Sequence, residues 1–573
     1  MYLSESSFLL VGELQTGGFV GFATFELRFR DGLPLEKGKY PGQRPRTETS
    51  EGIIRDYDIA VKMRDGVNIY VDLFRPEQPG EYPVLLAWAP YGKHGRIKYS
   101  YFPHCGVCDS DLSSLAAFEA ADPRYWCAHG YGVMYADPRG AWGSEGDLTL
   151  LGPQEAQDCY DLIEWTGVQP WCNGKVGMHG VSYLAWSQWK AAALNPPHLA
   201  AINPWEGVSD FYRELAFHGG IPETAFLPMW LPSVSFSKTR VEDLVRMAQE
   251  HPLFDEYWQS KNADLSQITV PCFAVASWAD HGLHARGTLE AFKQIASKEK
   301  WLLIHGRKKW ENFYQNAERQ RQFFDMFLKS KQTEVRFWPK VLLETRERYY
   351  LGNFRPETDW PPPQTRYESL FLDANTGEMG WQKASVEAEA RYSTGSGAAG
   401  ATWVQFDHRW EHKVELTGNM KLKLWVEASD ADDMDLFVAV QKIDRSGEIV
   451  PFQFLGNHED GPVALGWLRV SHRELDPERS TPAQPVHSHL REEKLKPGEV
   501  VPVEIEIWPS GTLFHENEIL RIVIQGKDIY TYPHDMNTNA HTVTVNRGDH
   551  VIHTGGRFDS HLLIPVMAES IPE

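Results

Sequence analysis

The chain has 573 residues, too many for one hydrophobic core, so we expect two or three domains. Its composition, 42% hydrophobic and 24% charged residues, is ordinary for a globular protein. A formal net charge of −21 argues against nucleic acid or an anionic membrane as the main partner. No stretch approaches the ~18 apolar residues of a membrane span. The N-terminal apolar patch lacks a basic segment before it, so we predict no signal peptide.

The six cysteines, without a secretory signal, indicate reduced thiols in a cytoplasmic protein. One CxxC pair, Cys105 and Cys108, lies beside His104, but the sequence contains no second CxxC. A metal site needs more ligands at suitable spacing. We therefore predict neither a metal ion nor another cofactor.

Residues 1–50 are predicted to form an N-terminal extension that ends in a polar linker and lies at the periphery. The next segment, "YDIAVKMRDGVNIYVDLFRP", alternates in period two and predicts two strands joined by a turn at Asp65 and Gly66. Continuous apolar runs beyond it are typical of buried parallel strands: "YPVLLAWAPYG", "YGVMYADPRG", "GKVGMHGVSY", "AAINPW", "CFAVASWAD" and "EKWLLIHG". Between them, "EAQDCYDLIEWTGVQ" and "LAWSQWKAAALNP" have helical spacing.

Strands alternating with helices over 51–205 and 267–350 predict an α/β domain with a mostly parallel sheet. Residues 206–266 are aromatic and mostly helical in pattern, without a strand-like run, and are predicted to be a helical cap inserted into that domain. From residue 365 onward, apolar and polar residues again alternate with period two, and turn residues separate the alternating runs. Residues 365–573 are therefore predicted to form an all-β sandwich or jelly roll.

One short segment, "HGVSYLAW" at 179–186, has the form of a nucleophile elbow, in which a strand, Gly-x-Ser and a helix follow one another. The strained turn requires small neighbours. Gly180 meets that need before Ser182, whereas the small residue after it is Ala185, one place later than in G-x-S-x-G. The alternative is a serine in an ordinary strand-to-helix turn.

Several segments in the same order resemble the CocE/NonD family of serine hydrolases, which contains cocaine esterase, α-amino-acid ester hydrolases and X-prolyl dipeptidyl peptidases. "GVSYLA" resembles the family's GxSYxG elbow, with alanine for the usual last glycine. "APYGK", "DPRGAWGSEG" and "SWADHGLHARGTLEAF" resemble its oxyanion-hole, DxRGxGxSxG and acid-bearing segments. The resemblance extends over almost the whole chain from about residue 55 and implies an α/β-hydrolase fold with a helical cap and a C-terminal jelly-roll domain.

The resemblance also implies roles for individual residues. Ser182 would attack an acyl carbon, and the Tyr91 hydroxyl and the Tyr183 backbone N–H would form the oxyanion hole. Asp280 would orient the catalytic histidine. The alternatives are a core tyrosine at position 91 and a helix N-cap aspartate at position 280.

The sequence departs from the family pattern where the catalytic histidine is expected. The family's GPWxH-like run is replaced here by "HGRKKW", and aligning the glycines places Trp310 where the histidine is expected. We predict His305 as the base because it ends the last strand, with His284 as the alternative; His281 lies in the same acid-bearing loop. An incomplete triad also remains open.

The leading hypothesis is a serine hydrolase that cleaves an ester or amide of a small molecule through an acyl-enzyme. The alternative is a family member with a degenerate triad, acting in acyl transfer or cyclisation or as a binding scaffold. Whether the chain forms a homo-oligomer is left open. Four aromatic residues of the cap could line an apolar acyl pocket or form the cap's own core: Phe211, Tyr212, Phe217 and Trp230.

Overall fold

The computed structural model describes residues 25–95, 97–395, 400–532 and 538–568. The N-terminal apolar patch considered for a signal peptide lies outside the described residues. In the described part, none of the helices is long and apolar enough to cross a bilayer. The cysteines there are free thiols, of which Cys108 is exposed.

The first part of the chain, up to about residue 357, contains the parallel sheet. Its strands are β1 (Phe29–Asp31), β2 (Arg46–Ser50), β3 (Ile53–Lys62), β4 (Asn68–Pro76), β5 (Tyr82–Trp88), β6 (Gly132–Asp137), β7 (Cys172–Val181), β8 (Leu199–Trp205), β9 (Phe217–His218), β10 (Ile221–Pro222), β11 (Arg240–Glu242), β12 (Cys272–Ser277), β13 (Lys300–His305), β14 (Val341–Arg348) and β15 (Leu351–Glu357). Its helices are α1 (Pro123–Ala128), α2 (Pro153–Gly167), α3 (Tyr183–Ala192), α4 (Phe226–Trp230), α5 (Leu244–Glu250), α6 (Glu256–Lys261), α7 (Ala285–Gln294), α8 (Lys309–Gln315) and α9 (Ala317–Leu328).

The main sheet of this part has the strand order β2-β3-β4-β6-β5-β7-β8-β12-β13-β14-β15. Strands β6, β5, β7, β8, β12, β13 and β14 are parallel, and antiparallel strands flank them on both sides. Helices α2, α3, α7 and α9 pack on the central strands. Because strands covered in this way bury both faces, their sequences are continuously apolar, as in β5 and β12.

The strand and helix predictions for this sheet are confirmed element by element. The two period-two runs form β3 and β4, which pair antiparallel across the predicted turn. Each continuous apolar run forms one of the parallel strands, and the two helical patterns form α2 and α3. The N-terminal arm, as far as it is described, contributes β2 to the exposed edge of this sheet.

The segment 206–266 differs from the prediction in one respect. It is rich in helix, with a π-helical turn at Tyr212–Ala216 followed by α4, α5 and α6. However, it also contains the short strands β9, β10 and β11, and β11 pairs with β1 of the N-terminal arm. The expectation of no strand here was wrong, because strands of two or three residues are too short to leave a period-two pattern.

The C-terminal part is built mostly from strands that pair antiparallel. They are β16 (Thr365–Asp373), β17 (Glu378–Gly380), β18 (Ala388–Ser393), β19 (Trp403–Arg409), β20 (Val414–Ala428), β21 (Asp435–Ile443), β22 (Phe452–Phe454), β23 (His458–Gly461), β24 (Ala464–Arg469), β25 (Val500–Phe514), β26 (Ile519–Gln525), β27 (Asp549–Thr554) and β28 (His561–Met567). The long strand β20 pairs with β25, β27 and β28. The predicted period-two runs form β20, β21, β24, β25, β26 and β28, except that "GWLRVSHREL" is a strand only as far as Arg469, after which Val470–His472 form a 3-10 helix.

Two hydrophobic cores hold the chain together. The C-terminal strands enclose one core of their own, which includes Leu422, Ile505 and Ile522. The second core fills the parallel sheet and its helices, but Trp467 and Trp508 of the C-terminal part belong to it as well. The two parts of the chain therefore share buried apolar surface.

Candidate active site

Ser182 lies in the tight turn between β7 and α3. Its φ of 59° and ψ of −113° are unusual for a residue with a side chain, and such a conformation costs ~1–3 kcal/mol. The Ser182 N–H donates to the carbonyl oxygens of Trp205 (3.0 Å) and Glu206 (3.1 Å) at the end of β8. The neighbouring strand therefore holds the strained turn in place and leaves the serine side chain partly exposed.

The residues around the turn are small because backbone and side chains approach closely. Gly180 has a φ of 143°, and a Cβ there would lie 2.5 Å from a Leu184 methyl group. After the serine, Ala185 faces Gly207, where a Cβ would come within 2.7 Å of the Ala185 Cβ. The alanine at 185 thus fits because residue 207 has no side chain.

His284 stands directly beside the serine. Its Nε2 is 3.0 Å from Ser182 Oγ, and its Nδ1 is hydrogen-bonded to Asp280 Oδ2. The loop after β12 folds into a helical turn in which the N–H groups of Leu283, His284 and Ala285 all donate to the Asp280 carbonyl. Since residues four apart lie on one face of a helical turn, the acid and the histidine face each other at the start of α7.

Burial and charge set the protonation of this pair. Burial lowers the pKa of His284 below 6.5, although Asp280 acts in the opposite direction. Burial alone would raise the pKa of the Asp280 carboxyl, but the charges of Lys309 and His284 hold it below its usual range. At neutral pH the imidazole is therefore neutral and the carboxylate ionised, with the free Nε2 lone pair available to the serine.

His305, which the sequence favoured as the base, occupies a different place. It lies level with Ser277 in the sheet, before the loop with Asp280 leaves β12. Its Nδ1 accepts from the Arg307 N–H at 3.1 Å, and its Nε2 is 3.2 Å from Glu206 Oε1. The ring is fully buried, and burial lowers its pKa to about 4. The geometry thus brings His284, and not His305, to Ser182.

The predicted oxyanion donors flank the serine. The Tyr91 hydroxyl is buried, interacts with the Ser182 side chain and accepts a hydrogen bond from Trp230 Nε1 at 3.1 Å. Burial raises the pKa of Tyr91 well above 10, so the hydroxyl keeps the proton it would donate. Tyr183 supplies the first N–H of α3, and the first amides of a helix have no partner within it.

The four aromatic residues that could line an acyl pocket have different surroundings in the structure. Tyr212 and Phe217 are buried and stacked on each other, with ring centroids 4.5 Å apart. Phe211 is buried against Trp186 of α3. Only Trp230, among these four, contacts a residue beside the serine. Tyr212 and Phe217 pack within segment 206–266, and Phe211 packs between that segment and α3.

Sequence reasoning missed three buried ionisable residues near Asp280: Glu119, Glu206 and Lys309. Lys309 Nζ is 3.4 Å from Asp280 Oδ2, and Trp310, its neighbour in the sequence, donates from Nε1 to Glu119 at 2.7 Å. The run "HGRKKW" marked this stretch as unusual, but nothing in the residue pattern pointed to Glu119. In the described ranges, no cluster of three or more His, Cys, Asp or Glu side chains could hold a metal ion.

The chain is similar in sequence to known proteins over most of its length. Residues 65–242 and 234–308 match the family model for X-Pro dipeptidyl-peptidase (S15 family), and residues 328–563 match that for the X-Pro dipeptidyl-peptidase C-terminal non-catalytic domain. The cocaine esterase of Rhodococcus sp. (strain MB1 Bresler) is 24% identical, over 89% of this chain and 98% of its own. The Xaa-Pro dipeptidyl-peptidase of Lactobacillus delbrueckii subsp. lactis is 22% identical, over 73% of this chain and 62% of its own.

A solved structure extends this relationship. A CocE/NonD family hydrolase from Staphylococcus aureus, whose crystal structure is known, is 44% identical in sequence. The match covers 90% of this chain and 94% of that protein's chain, and the two structures superpose with a TM-score of 0.86. The fold is thus that of a CocE/NonD hydrolase with a mostly β C-terminal non-catalytic domain. The chain belongs to the CocE/NonD family of hydrolases, and it is a serine hydrolase.

Proposed function

We propose that the protein hydrolyses a carboxylic ester or amide of a small molecule, with Ser182 as nucleophile, His284 as general base and Asp280 as the residue that orients it. One observation carries this proposal: His284 bridges the serine and the aspartate, with Nε2 3.0 Å from Ser182 Oγ and Nδ1 bonded to Asp280. A serine hydroxyl is inert near neutral pH without such a base.

The proposed reaction proceeds in two acyl-transfer steps. Ser182 Oγ forms a bond to the carbonyl carbon while His284 Nε2 takes the hydroxyl proton. The developing oxyanion accepts hydrogen bonds from the Tyr91 hydroxyl and the Tyr183 N–H. His284 then protonates the leaving alcohol or amine as its bond breaks, which leaves an acyl-enzyme. A water molecule attacks the acyl carbon with His284 again as base, and the acid product leaves with Ser182 restored.

In terms of fold, we assign the first part of the chain to the α/β-hydrolase fold and the C-terminal part to the jelly rolls. The parallel strand order and the position of Ser182 after β7 and of Asp280 after β12 support the first assignment. The second is supported by antiparallel strands around a separate core.

A small-molecule substrate fits both named relatives, an esterase and a dipeptidyl-peptidase. The absence of a GPWxH-like run would favour a degenerate triad if no other histidine reached the serine. Because His284 stands within hydrogen-bonding distance of Ser182, no observation favours a non-hydrolytic enzyme or a binding scaffold over hydrolysis.

A fluorophosphonate probe tests the nucleophile, because only an activated serine reacts with it quickly. We expect rapid labelling of the wild type, loss of labelling in Ser182→Ala, and an unchanged thermal unfolding profile. Labelling that persists in the variant, or a wild type that does not label, would contradict the proposal. A panel of p-nitrophenyl esters of graded acyl length, with matching anilides, then identifies the preferred acyl group and bond.

A further inference from the structure

Beside Asp280 lies a group of buried ionisable side chains. Asp280, Glu206, Glu119 and Lys309 are each at most 3% exposed. Lys309 begins α8, directly after the loop that leaves β13. Its Nζ is 3.4 Å from Asp280 Oδ2, the same oxygen that binds His284 Nδ1. The ammonium and the imidazole therefore share one carboxylate oxygen.

This group contains three carboxyls and one ammonium, so its net charge is near zero only if some of the carboxyls are protonated. Burial raises the pKa of Glu119 to about 8 and that of Glu206 well above its usual range. Both are therefore mainly neutral near pH 7, whereas Asp280 is ionised next to the ammonium of Lys309. A single buried ion pair remains, and Lys309 supplies its cation.

Several titratable groups act on the Asp280 carboxyl: Lys309, His284, Glu206, Glu119, His281 and His305. Burial lowers the pKa of His281 to about 3 and that of His305 to about 4, so both are neutral at pH 7. Glu119 ionises only above neutrality. Within this group, Lys309 is the permanent positive charge.

We propose that Lys309 is a positioning residue of this site: its buried ammonium keeps the Asp280–His284 pair free of an extra proton, so that His284 can accept the proton of Ser182. The proposal rests on the catalytic role proposed above for these three residues. Protonation at either member of the pair abolishes the base, because a protonated Asp280 leaves the wrong imidazole tautomer facing the serine and a protonated His284 has no free lone pair.

The sign of the effect follows from charge. A cation near the pair disfavours its protonation, so removing the cation raises the pH at which the pair takes up a proton. In Lys309→Met, the acidic limb of kcat/KM is expected to move to higher pH by at least about one unit, that is, about tenfold in proton affinity. Activity should return toward the wild-type level as the pH is raised beyond the shifted limb.

Two control variants isolate the charge. Lys308 is the preceding residue, and its Nζ pairs with Glu459 at 2.8 Å. Lys308→Met should therefore leave the limb unchanged. Lys309→Arg keeps the positive charge and should keep the limb near its wild-type position. The limb is measured with a p-nitrophenyl ester and, independently, from the pH dependence of fluorophosphonate labelling.

The outcomes separate this role from a purely structural one. If Lys309 only supports the fold, Lys309→Met lowers activity equally at every pH, and an unmoved limb or one displaced to lower pH overturns the proposal. If uncharged variants do not fold, Lys309→Arg decides, because a folded Arg variant that loses labelling contradicts a role based on charge. Failure of Ser182 to label in the wild type would instead refute the proposed function.

Discussion

Replacing each of the two histidines in turn distinguishes the base from a structural residue. His284→Ala removes the imidazole 3.0 Å from Ser182 Oγ. A positioned general base contributes ~10²–10⁴ in rate, and triad members act as a unit, so loss of one can cost ~10⁶. We expect kcat/KM to fall by at least ~10⁴, which is about 5 kcal/mol of transition-state stabilisation.

His305→Ala should have the opposite profile. It leaves the partly buried Arg307 N–H without its acceptor at 3.1 Å and opens space beside Glu206. Such a change destabilises a fold by ~1–3 kcal/mol. Because no contact of His305 reaches the serine, kcat/KM should stay within about tenfold of the wild type at temperatures where the variant is folded.

The assay combines ester hydrolysis, fluorophosphonate labelling and thermal unfolding followed by circular dichroism. His284→Ala is expected to lose activity and labelling, whereas His305→Ala loses stability and keeps activity. A folded His305→Ala protein without activity, or a His284→Ala protein within tenfold of the wild type, would refute the reasoning from hydrogen-bond geometry.

Further predictions concern the oxyanion hole, the pH profile, the elbow and the C-terminal part. Tyr91→Phe should lower kcat by ~10²–10³ with little effect on stability, measured by steady-state kinetics. Because burial lowers the pKa of His284 and only the neutral ring is a base, the acidic limb of wild-type kcat/KM should lie below pH 6.5; a higher limb would contradict this. In Gly207→Ala, the new Cβ would lie 2.7 Å from the Ala185 Cβ, so the free energy of unfolding, measured in urea, should fall by ~1–3 kcal/mol. Adding Ala185→Gly to this variant should restore much of the lost stability. Truncation after about residue 360 should cause aggregation, detectable by light scattering, because it removes side chains from the shared core.

The sequence by itself determined the elements and the residue proposed as nucleophile. Strands buried on both faces must be continuously apolar and half-exposed strands must alternate, so β5, β7 and β12 could be read directly, as could β20 and β25. The elbow can likewise be recognised from a short stretch of sequence. Gly180 and Ser182 follow a buried strand and precede a helix, and the turn between them needs no information from distant residues.

Only the tertiary structure decided which side chains meet at the serine. His305 ends a strand and His284 follows Asp280 by four residues, and both satisfy the chain order expected of a base. The choice depends on strand register, which sets His305 level with Ser277, and on the helical turn that directs His284 back across Asp280.

The same limit applies to the aromatic residues and the buried charges. Trp230 reaches Tyr91 while Phe217 packs inward, although the two are indistinguishable as aromatic residues of one segment. Lys309 and Glu119 are 190 residues apart in the chain, and neither has a local pattern that requires the other. Periodicity records which face of an element is buried, whereas a site is made by the distances between elements, and these are fixed only when the sheet and its loops pack together.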